Sequence, residues 1–215
     1  GRKRGIPQGT PISAAASNLY MMDFDCAARS YCDGIDALYR RYSDDIMVVC
    51  DPGHAKAAEA EIMRLIAAEK LEIAPHKTEC TDFGAAGNAP RASRAAQYLG
   101  FTLHQDGPTI RESSLSRQWR QMRRAMRRVR KVATAKIDAG LSDKAHTKRL
   151  HRRFSHLKVR DDHGVRTIRN FSSYGRRSAA AFGVGEKITG QVRRFERAAQ
   201  REMMALKELG KPKVP

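Results

Sequence analysis

At 215 residues and 41% hydrophobic content, the chain is long enough for one or two domains with cores of their own. No apolar run approaches the roughly 20 residues that a membrane-spanning helix needs, so the sequence offers no such helix. The formal net charge is +18, but residues 1–110 carry 12 basic against 14 acidic side chains, whereas residues 111–215 carry 29 against 9. This asymmetry predicts a near-neutral domain followed by a basic domain that binds a polyanion, with a ribosomal or chromatin type of basic tail as the alternative.

The first predicted element is a helix over Ala14–Arg29, with Ser13 as its N-cap. Apolar side chains recur there at spacings of 4, 3 and 4, which predicts one buried helix face made of Ala15, Leu19, Met22 and Cys26. The pair Asp33-Gly34 then marks a turn.

Two strand-like runs, 38–41 and 46–50, flank the sequence Tyr42-Ser43-Asp44-Asp45 and predict a β-hairpin with two carboxylates at its tip. Adjacent side chains on a strand point to opposite faces, so both carboxylates can approach one site only where a tight turn bends the backbone. Neighbouring anions repel, and a hard cation such as Mg²⁺ relieves that repulsion. A solvated Asp-Asp turn is the alternative interpretation.

After Asp51-Pro52-Gly53 ends this hairpin, a second helix is predicted from the apolar stripe at Ala58, Ile62, Leu65 and Ile66. A second hairpin is predicted where Tyr98–Leu103 and 109–110 straddle Asp106-Gly107. Helices and antiparallel hairpins in one unit indicate an α+β fold.

From Ser113 onward the pattern is helical almost throughout, and one apolar stripe is formed by Leu115, Trp119, Met122, Met126, Val129 and Ala133. Gly140 is predicted to end this helix, Ser142 to cap the next, and a last helix to cover 186–209. The polar side of the first helix is rich in arginine, and the best candidates for phosphate contacts are Arg123, Arg124, Arg127 and Arg128. A second basic cluster, which could bind a structured RNA, comprises Arg166, Arg169, Arg176 and Arg177 around Tyr174-Gly175.

The four cysteines form no Cys-x-x-Cys pair and have no histidine partners at zinc-ligand spacing. They predict reduced thiols in a cytoplasm.

Four segments, in this order, resemble motifs B, C, D and E of the reverse transcriptase palm: 5–13, 42–45, 73–79 and 97–103. The similarity is to the bacterial group that includes retron, group II intron and defence-associated enzymes. It implies an α+β palm with an antiparallel sheet over residues 1–110 and a mostly α-helical basic thumb over residues 111–215. It also implies an RNA-directed DNA polymerase that uses an RNA template, a DNA primer, deoxynucleotide triphosphates and an associated non-coding RNA, as in retron-like or antiphage defence systems.

The resemblance assigns roles to single residues. Asp44 matches a metal-ligating position of a two-metal Mg²⁺ site, with Mn²⁺ as an alternative, and Asp45 contributes less directly. Lys77 matches the lysine that counters triphosphate charge. The remaining matches are template, nucleotide and primer contacts: Gln8 and Gly9 beside the base pair, Asn18 at the template backbone, Tyr42 and Ser43 in the hairpin, and Leu99 and Gly100 in the primer grip.

The sequence departs from the family in two places. The chain has Ser13-Ala14-Ala15-Ala16-Ser17-Asn18 where relatives often have Ser-Pro and then a Leu-Ala-Asn run. The other essential aspartate of the family lies before motif B, where only four residues precede Gly5. The expectation is that the fingers and half of the metal site lie outside these residues, on the same or a partner chain, and that this polypeptide alone does not polymerise. A non-catalytic or maturase-like RNA-binding scaffold, and untemplated or protein-primed synthesis, are the alternatives.

Overall fold

The computed structural model describes residues 10, 12–74, 78–83, 95–142, 144–161 and 164–209. The chain divides into two compact units, a first unit over Gly1–Leu99 and a second unit over Gly100–Pro215. Both contain helices and antiparallel strand pairs, so the mixed fold class predicted from the sequence is confirmed. No helix in the described ranges is long and apolar enough to cross a membrane.

The first unit is built around an antiparallel hairpin packed on helices. Its elements are α1 (Ser13–Tyr20), α2 (Met22–Gly34), β1 (Leu38–Tyr42), β2 (Asp45–Val49), a short 3₁₀ helix (Pro52–His54), α3 (Ala55–Ala68) and β3 (Ala96–Tyr98). The register of the hairpin runs from Leu38 opposite Val49 to Tyr42 opposite Asp45. Tyr39 and Cys32 are buried where the hairpin and α2 share a core with α3.

The stripe predicted for α3 is confirmed, because its four apolar side chains are buried. The buried face predicted for the first helix is wrong. Leu19 is 70% and Met22 54% exposed, and Cys26 is exposed as well. The backbone leaves helical geometry at Met21, which separates α1 from α2. The buried residues are instead Met21, Phe24, Ala28 and Cys32. This second set also recurs at a helical spacing, and it buries the large Phe24 ring.

The second unit is dominated by helices. Its elements are β4 (Phe101–His104), β5 (Gly107–Ile110), α4 (Glu112–Asp138), α5 (Lys148–Phe154), β6 (Lys158–Asp161), β7 (Gly164–Thr167), α6 (Phe171–Phe182) and α7 (Glu186–Lys207). Phe195 of α7 is fully buried and meets three rings edge-on, at centroid distances of 5.5 Å for Trp119, 6.3 Å for Phe154 and 5.0 Å for Phe171. The apolar stripe predicted for α4 is confirmed, since all six of its members lie in or against the core clusters.

Two local predictions for the chain after residue 97 need correction. The predicted strand Tyr98–Leu103 is interrupted, because Leu99 and Gly100 both have positive φ, 49° and 84°. Gly140 follows α4 with a φ of 68°, as expected, but Ser142 does not cap α5, which begins at Lys148. The hydroxyl of Ser142 donates instead to the Lys144 carbonyl at 3.0 Å.

The chain after Ser113 is also less uniformly helical than predicted, because β6 and β7 pair as an antiparallel hairpin. The backbone N–H of Ile168 extends this ladder by donating to the Leu157 carbonyl at 2.9 Å. The four strand residues of β7 include Val165 and Thr167, whose branched side chains favour strands.

Candidate active site

The two carboxylates lie at a two-residue hairpin turn. Ser43 and Asp44 connect β1 to β2, and Asp45 is the first residue of β2, opposite Tyr42. Ser43 has a φ of 57°, whereas Asp44 is not among the residues with positive φ. A positive φ at the first turn position alone is the pattern of a type II′ turn, one of the two forms that match the twist of hairpin strands. The predicted hairpin is therefore confirmed, and Asp44 and Asp45 are both exposed at its tip.

An ion pair lies beneath this turn, on the face of the hairpin that packs against the helices. Arg41 Nε and Nη2 donate to Asp25 Oδ1 and Oδ2 of α2 at 2.7 and 2.5 Å. The Tyr39 hydroxyl donates to the same Oδ1 at 2.6 Å. Side chains alternate along a strand, so Tyr39 and Arg41 share one face of β1. The Arg41 side chain is only 7% exposed, which makes this pair partly buried.

The remaining guanidinium nitrogen of Arg41 reaches the turn itself. Arg41 Nη1 donates to the Ser43 carbonyl at 2.8 Å and to Asn18 Oδ1 of α1 at 3.3 Å. One side chain thus joins the hairpin tip to both α1 and α2. Asn18 is exposed, so it accepts from Arg41 while it also faces solvent.

The electrostatics of this network keep its charges in place at neutral pH. The hydrogen bond from Arg41 is the main reason that the pKa of Asp25 lies below its ordinary value, and the Tyr39 hydroxyl adds to that effect. The same hydrogen bond raises the pKa of Arg41. Burial, followed by the hydrogen bond to Asp25, raises the pKa of Tyr39. Asp25 is therefore an anion, and Tyr39 remains a hydrogen-bond donor.

Tyr98, at the end of β3, lies near the hairpin tip. Burial raises the pKa of Tyr98, the Asp45 carboxylate raises it further, and the Arg40 guanidinium opposes both. Tyr98, which belongs to the fourth sequence motif, is therefore within electrostatic range of Asp45 in the second motif.

The carboxylates of the tip are ligands of the type that a hard cation takes. Mg²⁺ in proteins commonly takes one or two carboxylates and completes its octahedron with water and substrate phosphates. Asp44 and Asp45 can supply those carboxylates from an exposed tip, whereas the oxygens of Asp25 already accept from Arg41 and Tyr39. Within the described ranges, no group of three or more His, Cys, Asp or Glu side chains is arranged to hold a metal. The hairpin would therefore hold a metal together with ligands from the substrate and from elsewhere.

The other residues singled out in the sequence fall into two sets. Gln8, Gly9 and Lys77 lie outside the described residues. Tyr42 is 66% exposed on the outer face of β1, and Ser43 is exposed in the turn. Leu99 is exposed, and Leu99 and Gly100 have the positive φ values of a tight turn.

The second unit presents a basic surface on α4. Four arginines lie on one side of the helix, away from its buried stripe, and are exposed: Arg123, Arg124, Arg127 and Arg128. The guanidinium of Arg123 lies over the Trp119 ring, 5.5 Å from its centroid. Other cations of this unit have acidic neighbours: Arg130 pairs with Glu202 at 3.5 Å, and Arg176 with Glu196 at 2.5 Å.

Some members of the second basic cluster already have partners within the protein, which its composition does not indicate. Arg176 is paired with Glu196, and the Tyr174 ring stacks on Phe101 at 5.9 Å. Gly175 is buried against Val192. Arg169 and Arg177 are exposed, and the side chain of Arg166 lies outside the description.

Sequence reasoning missed the roles of Asp25 and Arg41. A signal was present in the alternation of β1. On β1, Tyr39 and Arg41 lie on the face opposite to that of Tyr42, so the side chain of Arg41 must point towards the helices. A charge in that position requires a partner of opposite sign, and α2 begins with Asp23 and Asp25.

Comparison with known protein families identifies a similarity in the first half of the chain. The family model described as reverse transcriptase (RNA-dependent DNA polymerase) matches residues 1–103. No curated protein sequence matches the chain. The matched range contains the hairpin tip, the Asp25–Arg41 pair and Tyr98, and it ends within β4, before the basic helices begin.

Proposed function

From the match of residues 1–103 to the reverse transcriptase family model, we propose that this chain is part of a Mg²⁺-dependent RNA-directed DNA polymerase with its catalytic carboxylates at the β1–β2 turn. One observation carries this proposal: a two-residue turn presents Asp44, with Asp45 adjacent, at an exposed hairpin tip. The reaction is nucleotidyl transfer from a deoxynucleotide triphosphate to a primer 3′-hydroxyl.

In this proposal Asp44 is the principal metal ligand of the hairpin and Asp45 supports it. Magnesium, when bound, would activate the primer hydroxyl and offset charge on the triphosphate and the leaving pyrophosphate. The hairpin residues keep the carboxylates at a fixed place, and Tyr42 lies on the outer face beside Asp45. Lys77 would counter the charge of the triphosphate, Gln8, Gly9 and Asn18 would face the template and the nascent pair, and Leu99 and Gly100 would face the primer.

The arginines of α4 have the properties of a duplex-binding surface. They are exposed, they lie along one side of a helix, and they face away from the core. Such side chains neutralise phosphates without reading sequence, and an RNA–DNA hybrid is recognised mainly through its backbone and 2′-hydroxyls. We therefore assign the second unit the role of thumb.

The finer assignment is an enzyme that works with an associated non-coding RNA in a retron-like or antiphage defence system of the cytoplasm. It is supported by the similarity of four ordered motifs to that bacterial group and by the basic half of the chain. The cytoplasmic assignment is supported by the four unpaired cysteines, since free thiols persist in reducing compartments.

The first prediction concerns the catalytic carboxylate. In the full-length protein, Asp44→Ala should reduce deoxynucleotide incorporation on a primed RNA template by about 10³-fold or more, because the transition state loses charge stabilisation. Circular dichroism should remain unchanged, since Asp44 is exposed in a turn. The matched control is Asp33→Ala, which removes an exposed aspartate from the last turn of α2.

Retained incorporation in Asp44→Ala would rule out the metal-ligand role. Absence of incorporation in the unaltered full-length protein would favour an RNA-binding scaffold. Sequencing of the products separates templated synthesis from untemplated or protein-primed synthesis.

A further inference from the structure

The turn that carries Asp44 is held in a conformation that its own sequence disfavours. Ser43 has a φ of 57°, in the left-handed region that residues with a Cβ enter rarely. The position contains neither glycine nor asparagine, the residues that usually occupy it. Contacts from outside the turn must therefore stabilise this conformation.

The Arg41 guanidinium provides such contacts. Its Nη1 donates to the Ser43 carbonyl at 2.8 Å, while its Nε and Nη2 form a bidentate pair with Asp25. A planar guanidinium held by two parallel hydrogen bonds has a fixed orientation, so the third nitrogen is fixed as well. The Ser43 carbonyl is thereby tied to α2, the helix that supplies Phe24 and Ala28 to the core of the first unit.

We propose that Asp25 and Arg41 are positioning residues of the nucleotidyl-transfer site: their ion pair fixes the backbone of the turn and, through it, the Asp44 carboxylate. This inference rests on the proposed function, in which Asp44 holds the metal. Neither residue touches the reacting atoms, since Arg41 is nearly buried and the oxygens of Asp25 accept from Arg41 and Tyr39.

The expected kinetic signature follows from this geometry. A displacement of about 1 Å at a reacting centre can cost about 10²-fold in rate. Loosening of the turn should therefore lower kcat and raise the Mg²⁺ concentration needed for half-maximal rate. The affinity for primer–template should change much less than the rate, because the arginines proposed for its phosphates lie on α4. Asn18, which is proposed to face the template, keeps its place on α1 although it loses the hydrogen bond from Arg41 in Arg41→Lys.

Two conservative variants test the proposal in the full-length protein. Asp25→Asn keeps the shape of the side chain but removes its charge. Arg41→Lys keeps the charge but not the planar fork, so it cannot hold Asp25 and the Ser43 carbonyl together. The chain offers a matched control pair on α3, where Arg64 Nε and Nη2 donate to Glu61 Oε2 and Oε1 at 2.8 and 2.6 Å. Glu61→Gln and Arg64→Lys make the same chemical changes away from the hairpin.

Two readouts are needed, and one does not depend on activity. Single-turnover incorporation should fall by about 10- to 100-fold in Asp25→Asn and Arg41→Lys, with a much smaller change in the dissociation constant for primer–template. Hydrogen–deuterium exchange should become faster in peptides covering 38–49 while peptides covering 55–68 keep their protection. The α3 controls should match the unaltered protein in both readouts.

The proposal is overturned if the hairpin peptides exchange at the normal rate in both variants, or if incorporation is unchanged while exchange is faster. Equal loss of protection in the hairpin and in α3 also contradicts it, because the pair would then support the whole unit. If the unaltered protein incorporates no deoxynucleotide, or if Asp44→Ala remains active, the proposed function fails. The exchange experiment then still decides whether the ion pair holds the turn.

Discussion

The carboxylate of Asp25 has a structural role, although it lies close to a candidate metal site. Its oxygens accept hydrogen bonds from Arg41 and Tyr39 at 2.5 to 2.7 Å. A carboxylate that accepts several hydrogen bonds resists protonation, so its pKa falls. The folded protein therefore binds a proton at Asp25 more weakly than the unfolded chain does.

This difference predicts how the stability of the protein depends on pH. The pKa of Asp25 is lower in the folded protein than in the unfolded chain, where it is about 3.9. The Asp25 carboxylate therefore contributes fully to the free energy of unfolding above the unfolded pKa, and this contribution is lost as pH falls through the folded pKa. Asp25→Asn should lower the free energy of unfolding by about 2 kcal/mol at pH 7, because the partly buried Arg41 loses its anion. The deficit should persist down to about pH 5 and shrink below about pH 4.

Urea unfolding followed by circular dichroism between pH 7 and pH 3 measures this deficit. Asp33→Asn, at an exposed aspartate of the same helix, serves as the control. A deficit of equal size at pH 7 and pH 3 would show that the charge of Asp25 is not what stabilises the fold.

At the scale of single residues, the sequence predicted where Asp44 and Asp45 lie but not which side chains stabilise their turn. The order of apolar and acidic residues predicts that Asp44 and Asp45 lie at a hairpin tip, and the register confirms it. The pattern contains no information about the positive φ of Ser43, because that conformation depends on contacts with Arg41. The partner of Arg41 is 16 residues away, and spacing alone does not identify it.

At the scale of elements, the crossing of α6 and α7 depends on a glycine. A Cβ on Gly175 would lie 2.3 Å from Val192 Cγ2, far inside van der Waals contact. The absence of a side chain lets the two helices approach closely, and it buries Val192 beside Ile188. The packing of α7 against α6 therefore requires glycine at residue 175.

Gly175→Ala should lower the free energy of unfolding by about 1–3 kcal/mol, because the added methyl group overpacks the crossing. Gly190→Ala is the matched control on α7, where a Cβ meets no atom within 4 Å. It should raise stability by about 0.5–1 kcal/mol through helix propensity. The fluorescence of Trp119, which packs on Phe195, reports urea unfolding of this unit.

A second substitution distinguishes a steric cause from a conformational one. Val192→Ala should be less harmful in the Gly175→Ala background than alone, since it removes the atom that clashes. Additive losses would mean that the two side chains do not compete for the same space.

Elements with a single strong pattern were predictable, and elements with competing patterns were not. The 27-residue helix α4 has one apolar stripe and a continuous polar side, so only one orientation buries its apolar atoms. The stretch around α1 and α2 contains two sets of apolar residues that both recur at helical spacings, and the spacing did not select between Leu19 and Phe24. The β6–β7 hairpin lacks a strong alternation, so the sequence pattern did not indicate its strands.

At the scale of the whole molecule, the excess of positive charge lies in the second of the two folded units. The second unit contains 29 basic and 10 acidic side chains, whereas the first contains 12 and 13. Much of the excess is on exposed helix surfaces such as that of α4. A polyanion would therefore bind the second unit chiefly by releasing counterions.

Affinity for an RNA–DNA duplex should fall steeply with salt, and the slope measures how many phosphates are contacted. Replacement of the four α4 arginines by glutamine should reduce the slope of log K against log salt by about 3 to 4, because each lost phosphate contact contributes about 0.9. A duplex titration at several salt concentrations gives both slopes. The residues replaced are Arg123, Arg124, Arg127 and Arg128.

The control variant replaces arginines that already have acidic partners. Arg130→Gln with Arg176→Gln removes two positive charges whose neighbours are Glu202 and Glu196, and the slope should change little. An equal change per arginine in both variants would indicate diffuse attraction to net charge and not a defined surface.

The difference in charge between the two halves was predictable because net charge is a sum over composition and does not depend on side-chain orientation. The pairing of individual cations was not predictable. Arg176 belongs to a basic cluster in the sequence, but it meets Glu196 because α6 lies against α7. Composition therefore predicted that the second half binds a polyanion, and only the fold distinguishes the paired arginines from the exposed ones.

The two-residue turn between β1 and β2 also restricts how the length of this segment can vary. Side chains alternate along a strand, so one added or deleted residue within the turn that shifted the register would exchange the faces of β2. Ile46 and Val48 would leave the core, and Met47 and Val49 would replace them. Substitutions at Ser43 are therefore easier to accommodate than a change in the number of residues between Tyr42 and Asp45.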